Sequence, residues 1–217
     1  MVSFVTSFVP FAVKLFTTKG TKDVTKGLNN HINMNFISTP FPGLFLIEPK
    51  VFGDARGYFF ESFQQEEFER NIGKVEFVQD NESKSGYGVL RGLHFQKPPH
   101  TQAKLVRCIT GKILDVVVDL RKGSETFKKS YAVELSGDNK LQFFIPRGFA
   151  HGFVVLSEEA IFSYKVDNLY APASDAGIRF DDSELLIDWK LPKNLLNLSE
   201  KDLKQPLFSE TDLPFSM

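Results

Sequence analysis

Lys112–Leu120 reads KILDVVVDL, and how these residues lie decides the fold. Successive side chains of a β-strand point to opposite faces, so Leu114, Val116, Val118 and Leu120 share one face and Ile113, Asp115, Val117 and Asp119 the other. The first face is core. The second carries two carboxylates, which either meet solvent or line a polar cavity, and solvent is the expectation.

The same kind of segment recurs on both sides. LFLIEPKVF, RGYFFESF, VEFVQDN, GVLRGLHFQ and AKLVRCIT come before it, and SYAVELS, LQFFIP, HGFVVLS and AIFSYKV after it. Turns such as TGK and SGDNK separate several of them. Many short strands at close spacing indicate a β-sandwich or barrel. The 23 phenylalanines fit, because aromatic side chains pack well on half-buried pleated surfaces. QQEEFERNIG is the best helix candidate, with Phe68 and Ile72 four apart and Gly73 as a stop signal. Beyond Tyr170 the chain reads as loop, with one short helix near SEKDLKQ. There is no fixed-period repeat and no low-complexity linker.

The 217 residues suffice for one sizeable domain without disulfides, and the single cysteine could form no intramolecular one. Cys108 lies in the apolar run KLVRCITG and reads as a small buried hydrophobe. A net charge of -1 gives no basic excess for nucleic acid and no acidic arm. Residues 1–35 read as an N-terminal extension and 36–217 as a single domain. The apolar start of the extension is too short for a membrane span and is broken by Pro10 and Lys14. It lacks the charge pattern of a signal or transit peptide, so a cytoplasmic protein with no membrane partner is expected.

Of the four histidines, His31 lies in the extension and His100 in a Pro-Pro-His loop, where exposure is expected. His94 and His151 lie within or beside apolar strands. IPRGFAHGF contains Pro-x-Gly-x-x-His, which resembles half of a cupin motif. Metal-binding cupins carry a His-x-His pair and a glutamate, whereas His94 stands alone before Phe95 and Gln96. A transition metal wants three or more good ligands, so a barrel that works without metal is expected. No other cofactor is expected. A histidine in such a barrel can take a proton from a carbon beside a carbonyl. The enolate then needs a positive neighbour, for which Lys104 is a candidate. Tyr164 can return the proton on the opposite face. Singly, each also reads as an ordinary strand residue.

KVFGDARGYFFESF, FVQDNESKS, VLRGLHFQ, AKLVRC, DVVVDLRKGSETF and IPRGFAHGFVVLSE together resemble the dTDP-4-dehydrorhamnose 3,5-epimerase family over about Phe41 to Leu207. The resemblance implies an all-β, cupin-like jelly roll (double-stranded β-helix) with a few short helices, and a homodimer. It implies action on dTDP-4-dehydro-6-deoxy-D-glucose. It makes His94 the base at C5 and C3, oriented by Asp202 of LSEKD, Lys104 the holder of the enolate oxygen, and Tyr164 the acid. It puts His151 at the sugar and Arg56 and Arg91 at the diphosphate, where the arginine fork suits phosphate. Glu61, Gln79, Asn81 and Tyr170 match substrate-binding positions. Arg91 and His94, three apart, do not share a face by strict alternation, so a bend or bulge at Gly92 is expected to aim both at one cavity.

RFDD at Arg179–Asp182 departs from the family's Trp-Asn-Asp. The competing readings are an epimerase acting at one centre, a ketoisomerase, a non-catalytic nucleotide-sugar binder and a metal-dependent cupin oxygenase.

Overall fold

The computed structural model of the chain describes residues 34–217, so what was expected of residues 1–33, His31 included, lies outside the described residues. In chain order the elements are β1 (Met34–Ser38), β2 (Phe45–Pro49), β3 (Phe52–Asp54), β4 (Gly57–Phe59), α1 (Gln65–Asn71), β5 (Gln79–Gly86), β6 (Leu90–Gln96) and β7 (Lys104–Thr110). There follow β8 (Lys112–Asp119), β9 (Ser130–Ser136), β10 (Gln142–Ile145), β11 (Phe149–Val155), β12 (Glu159–Val166), β13 (Asp175–Gly177) and α2 (Glu200–Leu203). β1 thus starts two residues before Phe36.

A six-stranded sheet in the order β1-β2-β10-β7-β12-β5 faces a five-stranded sheet in the order β13-β6-β11-β8-β9, and β3 and β4 form a separate hairpin. Neighbouring strands pair antiparallel throughout both sheets. This is the all-β, cupin-like architecture expected.

The strand that decided the fold behaves differently on its polar face. Ile113 and Val117 pack between the sheets with Val106, Cys108, Phe143 and Phe162. Asp115 and Asp119 share that face and are both 0% exposed, so the expectation of solvent is corrected. The other face is also covered. Leu114, Val116 and Val118 pack against Ile178, Phe180, Trp189, Phe208 and Phe215 from the segment after Tyr170. That segment lacks long elements, yet it forms a second apolar layer outside the five-stranded sheet. Trp189 is pinned there by donating Nε1–H to the Phe180 carbonyl at 2.8 Å.

Asp119 is stabilised where it lies. It accepts from Arg121 Nε and Nη2, Ser124 Oγ and Thr126 Oγ1 at 2.6–2.8 Å. Burial works to raise its pKa, but these donors outweigh burial and hold it below the usual carboxylate range.

α1 closes the outer face of the six-stranded sheet. Its Gln64 cap accepts from Glu67 N, and Phe68 sits edge-on to Phe144 at 5.2 Å between ring centroids. Burying one such ring contributes about 1.5–3 kcal/mol. Cys108 is buried as expected, and burial pushes its thiol up to about 11. β5 differs from the strand expected at VEFVQDN, because pairing begins only at Gln79 and runs through the polar QDNESKSG. It is an edge strand, bonded on one side to β12, so it needs few apolar residues.

Candidate active site

Between the sheets opens a cavity of about 600 Å³, lined among others by Arg91, His94, Lys104, His151, Tyr164 and Asp202. Two neighbouring strands of the five-stranded sheet supply the histidines, with His94 on β6 facing His151 on β11 in register. The pairing then slips, so that Phe153 faces Arg91 and β6 carries an extra residue. Gly92 sits in this bulge at φ +132, and a Cβ there would stand 2.5 Å from Gly152 Cα. The slip puts Arg91 and His94 on one cavity despite their odd spacing.

His94 Nε2 lies 2.5 Å from Asp202 Oδ1. With Nε2–H donated to the carboxylate, Nδ1 carries the lone pair. Asp202 comes from α2, 108 residues further along the chain, and is 3% exposed. Ser199, the N-cap of α2, donates its hydroxyl to Asp202 Oδ2 at 2.8 Å. Burial works to raise the Asp202 carboxyl, but bonds from His94 and Ser199 and the charge of Lys201 outweigh it and lower it.

His151 forms a second, deeper pair. Its Nε2 reaches Asp115 Oδ2 at 2.9 Å and Oδ1 at 3.0 Å. Burial pushes the Asp115 carboxyl up and the His151 imidazole down, with each partner opposing the other's displacement.

The six-stranded sheet supplies the opposite wall. Lys104 opens β7, and burial lowers its amine to about 8, opposed by the charges of Asp115 and Asp175. Tyr164 on β12 has its hydroxyl pKa raised by burial, with Arg91 opposing. Asn81 and Tyr164 are register partners on β5 and β12. Gln79 donates to Asn81 at 2.7 Å and accepts from the Tyr170 amide at 3.4 Å. Tyr170 donates its hydroxyl to Asp175 Oδ2, which also takes Lys201 Nζ. Gln79 and Tyr170 thus stand just outside the lining, and Asn81 within it.

Two expected site residues are elsewhere. Arg56 lies at the tip of the β3–β4 hairpin, its side chain 91% exposed and paired to Asp54 at 2.6 Å. Glu61 follows that hairpin, and neither residue lines the cavity. His100, expected to be exposed, is half-buried, and its Nδ1 meets Ser174 Oγ at 2.9 Å. Asp115, Ser199 and Lys201 were not singled out as site residues. Asp115 carried a signal, a carboxylate amid an apolar strand, and Ser199 another, the Ser-x-x-Asp start of a helix. Among the described residues no three His, Cys, Asp or Glu side chains come together as metal ligands. No helix among them is long and apolar enough to cross a membrane.

The profile of the family described as dTDP-4-dehydrorhamnose 3,5-epimerase matches residues 38–210. The chain belongs to this family. That makes it kin to carbohydrate epimerases, which are isomerases. The dTDP-4-dehydrorhamnose 3,5-epimerase of Shigella flexneri is 53% identical over 180 residues, which is 82% of this chain and 98% of the relative. The crystal structure of the Elizabethkingia anophelis enzyme of that name superposes with a TM-score of 0.80 at 56% identity, covering 82% of this chain and 98% of the other. A Legionella pneumophila dTDP-6-deoxy-D-glucose-3,5-epimerase, solved in complex with dTDP-4-keto-L-rhamnose, gives 0.81 at 48% identity, covering 85% and 99%.

Proposed function

We propose that this family member converts dTDP-4-dehydro-6-deoxy-D-glucose to dTDP-4-dehydro-L-rhamnose by inverting C5 and C3, a step toward dTDP-L-rhamnose. One observation carries the reading: His94 on one sheet, paired to Asp202 of α2, stands across a cavity from Lys104 and Tyr164 on the other sheet. Nδ1 of His94 takes the proton from a carbon beside the C4 carbonyl, and Asp202 stabilises the resulting imidazolium. The electron pair moves onto the carbonyl oxygen, where the Lys104 ammonium meets it. Tyr164, raised by burial and so protonated at neutral pH, delivers a proton to the opposite face of that carbon. The tyrosinate regains its proton from water and the imidazolium gives its own up, leaving the enzyme unchanged. His151 lines the sugar site, and Arg91, held by Ser85 at 3.1 Å, presents its guanidinium to the diphosphate. Asn81, Gln79 and Tyr170 would receive the nucleoside end.

The proposal takes residues 36–217 as one catalytic domain in the cytoplasm, in keeping with a lone, buried and unpaired Cys108. It includes a homodimer. The β3–β4 hairpin supports this, since Val51, Phe52, Tyr58 and Phe59 are each at least 44% exposed there. Arg56 and Glu61 lie outside a single chain's cavity, so contact with the nucleotide needs a second copy or a rearranged hairpin. Sedimentation as a monomer at micromolar concentration would remove the dimer.

The reaction is tested by NMR of the sugar nucleotide incubated with the protein in D₂O, beside a His94→Ala control. Deuterium entering C3 and C5 with the wild type alone is the expected result. Exchange at one carbon would make the protein a single-centre epimerase, and equal exchange with both proteins would acquit His94.

A further inference from the structure

We propose that Ser199 is a positioning residue for this reaction, its hydroxyl clamping the Asp202 carboxylate in the orientation that holds His94. The proposal rests on His94 as the base. Asp202 sits on α2, four residues long, and a helix this short has little cooperative stability of its own. Its carboxylate must nevertheless face one imidazole nitrogen across 108 residues of chain. Ser199 supplies the constraint twice with one atom. Its Oγ–H donates to Asp202 Oδ2 at 2.8 Å, and its lone pair accepts the Asp202 N–H at 3.1 Å. One hydroxyl can do both, having one proton to give and two lone pairs. Backbone and carboxylate of Asp202 are therefore tied to the same oxygen.

The two carboxylate oxygens are thereby divided. Oδ1 serves His94 and Oδ2 serves Ser199. Among the described residues no other hydrogen-bond donor reaches Oδ2, because the neighbouring Lys201 turns away to Asp175. Without the hydroxyl, Oδ2 of a residue only 3% exposed lacks a protein partner, and the carboxylate is free to rotate about its Cβ–Cγ bond. The His94 ring then loses its fixed tautomer for part of the time.

Substitution separates this role from helix capping. Glycine is tolerated at a helix N-cap nearly as well as serine, whereas alanine is not. Ser199→Gly therefore keeps the helix and removes the clamp, Ser199→Ala removes both, and Ser199→Thr keeps both. The assay is turnover of dTDP-4-dehydro-6-deoxy-D-glucose by all four proteins. The expected result is a kcat about ten-fold lower for Gly and Ala at little changed KM, with Thr near wild type, the size of one lost hydrogen bond to a charged group. Wild-type kcat in Ser199→Gly would reduce the serine to a cap, and a change confined to KM would make it a substrate contact; either overturns the proposal. The Nε2-bound proton of His94, followed by NMR without substrate, gives a second readout. It should be slow to exchange with water in the wild type and Thr protein and lost in Gly and Ala. Should the wild type fail to turn over the sugar nucleotide, the reaction assignment falls, and this resonance still decides for or against the clamp.

Discussion

Lys104 gives the proposed mechanism a pH dependence that can be worked out in advance. Its amine titrates at about 8 in the fold, well below 10.5, because the half-buried cavity wall between the sheets desolvates it. An amine titrating there is about 90% charged at pH 7 and about 10% charged at pH 9. If the enolate oxygen needs the ammonium, kcat/KM should fall about ten-fold over that interval. Neither Tyr164, raised above 10 by burial, nor Cys108, pushed up to about 11, titrates there. Lys104→Arg keeps a permanent charge, so its lower activity should not fall between pH 7 and 9. The assay is initial rate at sub-saturating substrate from pH 6.5 to 10, with refolding excluded by circular dichroism at each pH. A flat wild-type profile, or an equal fall in Lys104→Arg, would mean that Lys104 does not hold the developing charge.

The same displacement has a cost in stability. The unfolded amine titrates at 10.5 and the folded one at about 8, so below pH 8 folding buries a charge. The cost is complete below about pH 8 and fades as pH rises toward 10.5. The full displacement corresponds to about 3 kcal/mol, and water reaching the open cavity reduces it, so Lys104→Met should gain roughly 1–3 kcal/mol at pH 7. The gain, read by urea unfolding, should vanish near pH 10.5. A less stable Lys104→Met protein at pH 7 would show that the buried ammonium is well solvated.

Other substitutions address the remaining parts of the site. Asp202→Asn should lower kcat by roughly 10²–10⁴-fold with KM little changed, since the amide cannot stabilise the imidazolium; wild-type kcat in that variant would remove Asp202 from the mechanism. Tyr164→Phe should still admit deuterium from the His94 side while losing net inversion, as followed by NMR of the sugar; retained inversion would assign the acid elsewhere. Gly92→Ala would put a Cβ 2.5 Å from Gly152 Cα at φ +132, so it should destabilise the fold by about 2–4 kcal/mol and displace His94. Thermal melting checks this, and an unchanged midpoint would mean that the bulge tolerates a side chain.

Much of the architecture was legible because pleat alternation is local. The segments around KILDVVVDL announced themselves as strands, and QQEEFERNIG as a helix, without knowledge of any partner. The strand expected at VEFVQDN was misplaced, and most of the polar Gln79–Gly86 escaped, because an edge strand is held by backbone pairing, which leaves little mark on side-chain type. Arg91, His94, Lys104, His151, Tyr164 and Asp202 could be singled out by residue type, by strand context and by a family resemblance. Which of them meet was another matter. The 2.5 Å contact between His94 and Asp202 joins residues 108 apart, and only closure of α2 over β6 brings it about. Alternation divided KILDVVVDL correctly into two faces, yet it could not tell that Asp115 and Asp119 look inward, because the layer that covers the other face arrives from residues 178–215. Arg56 shows the converse: its residue type suits phosphate, and its place on an exposed hairpin keeps it from this chain's cavity. Strand identity and chemical capacity are properties of short stretches and were written in the sequence. Burial, pairing and the direction of a carboxylate depend on what packs from far along the chain, and the tertiary structure alone decides them.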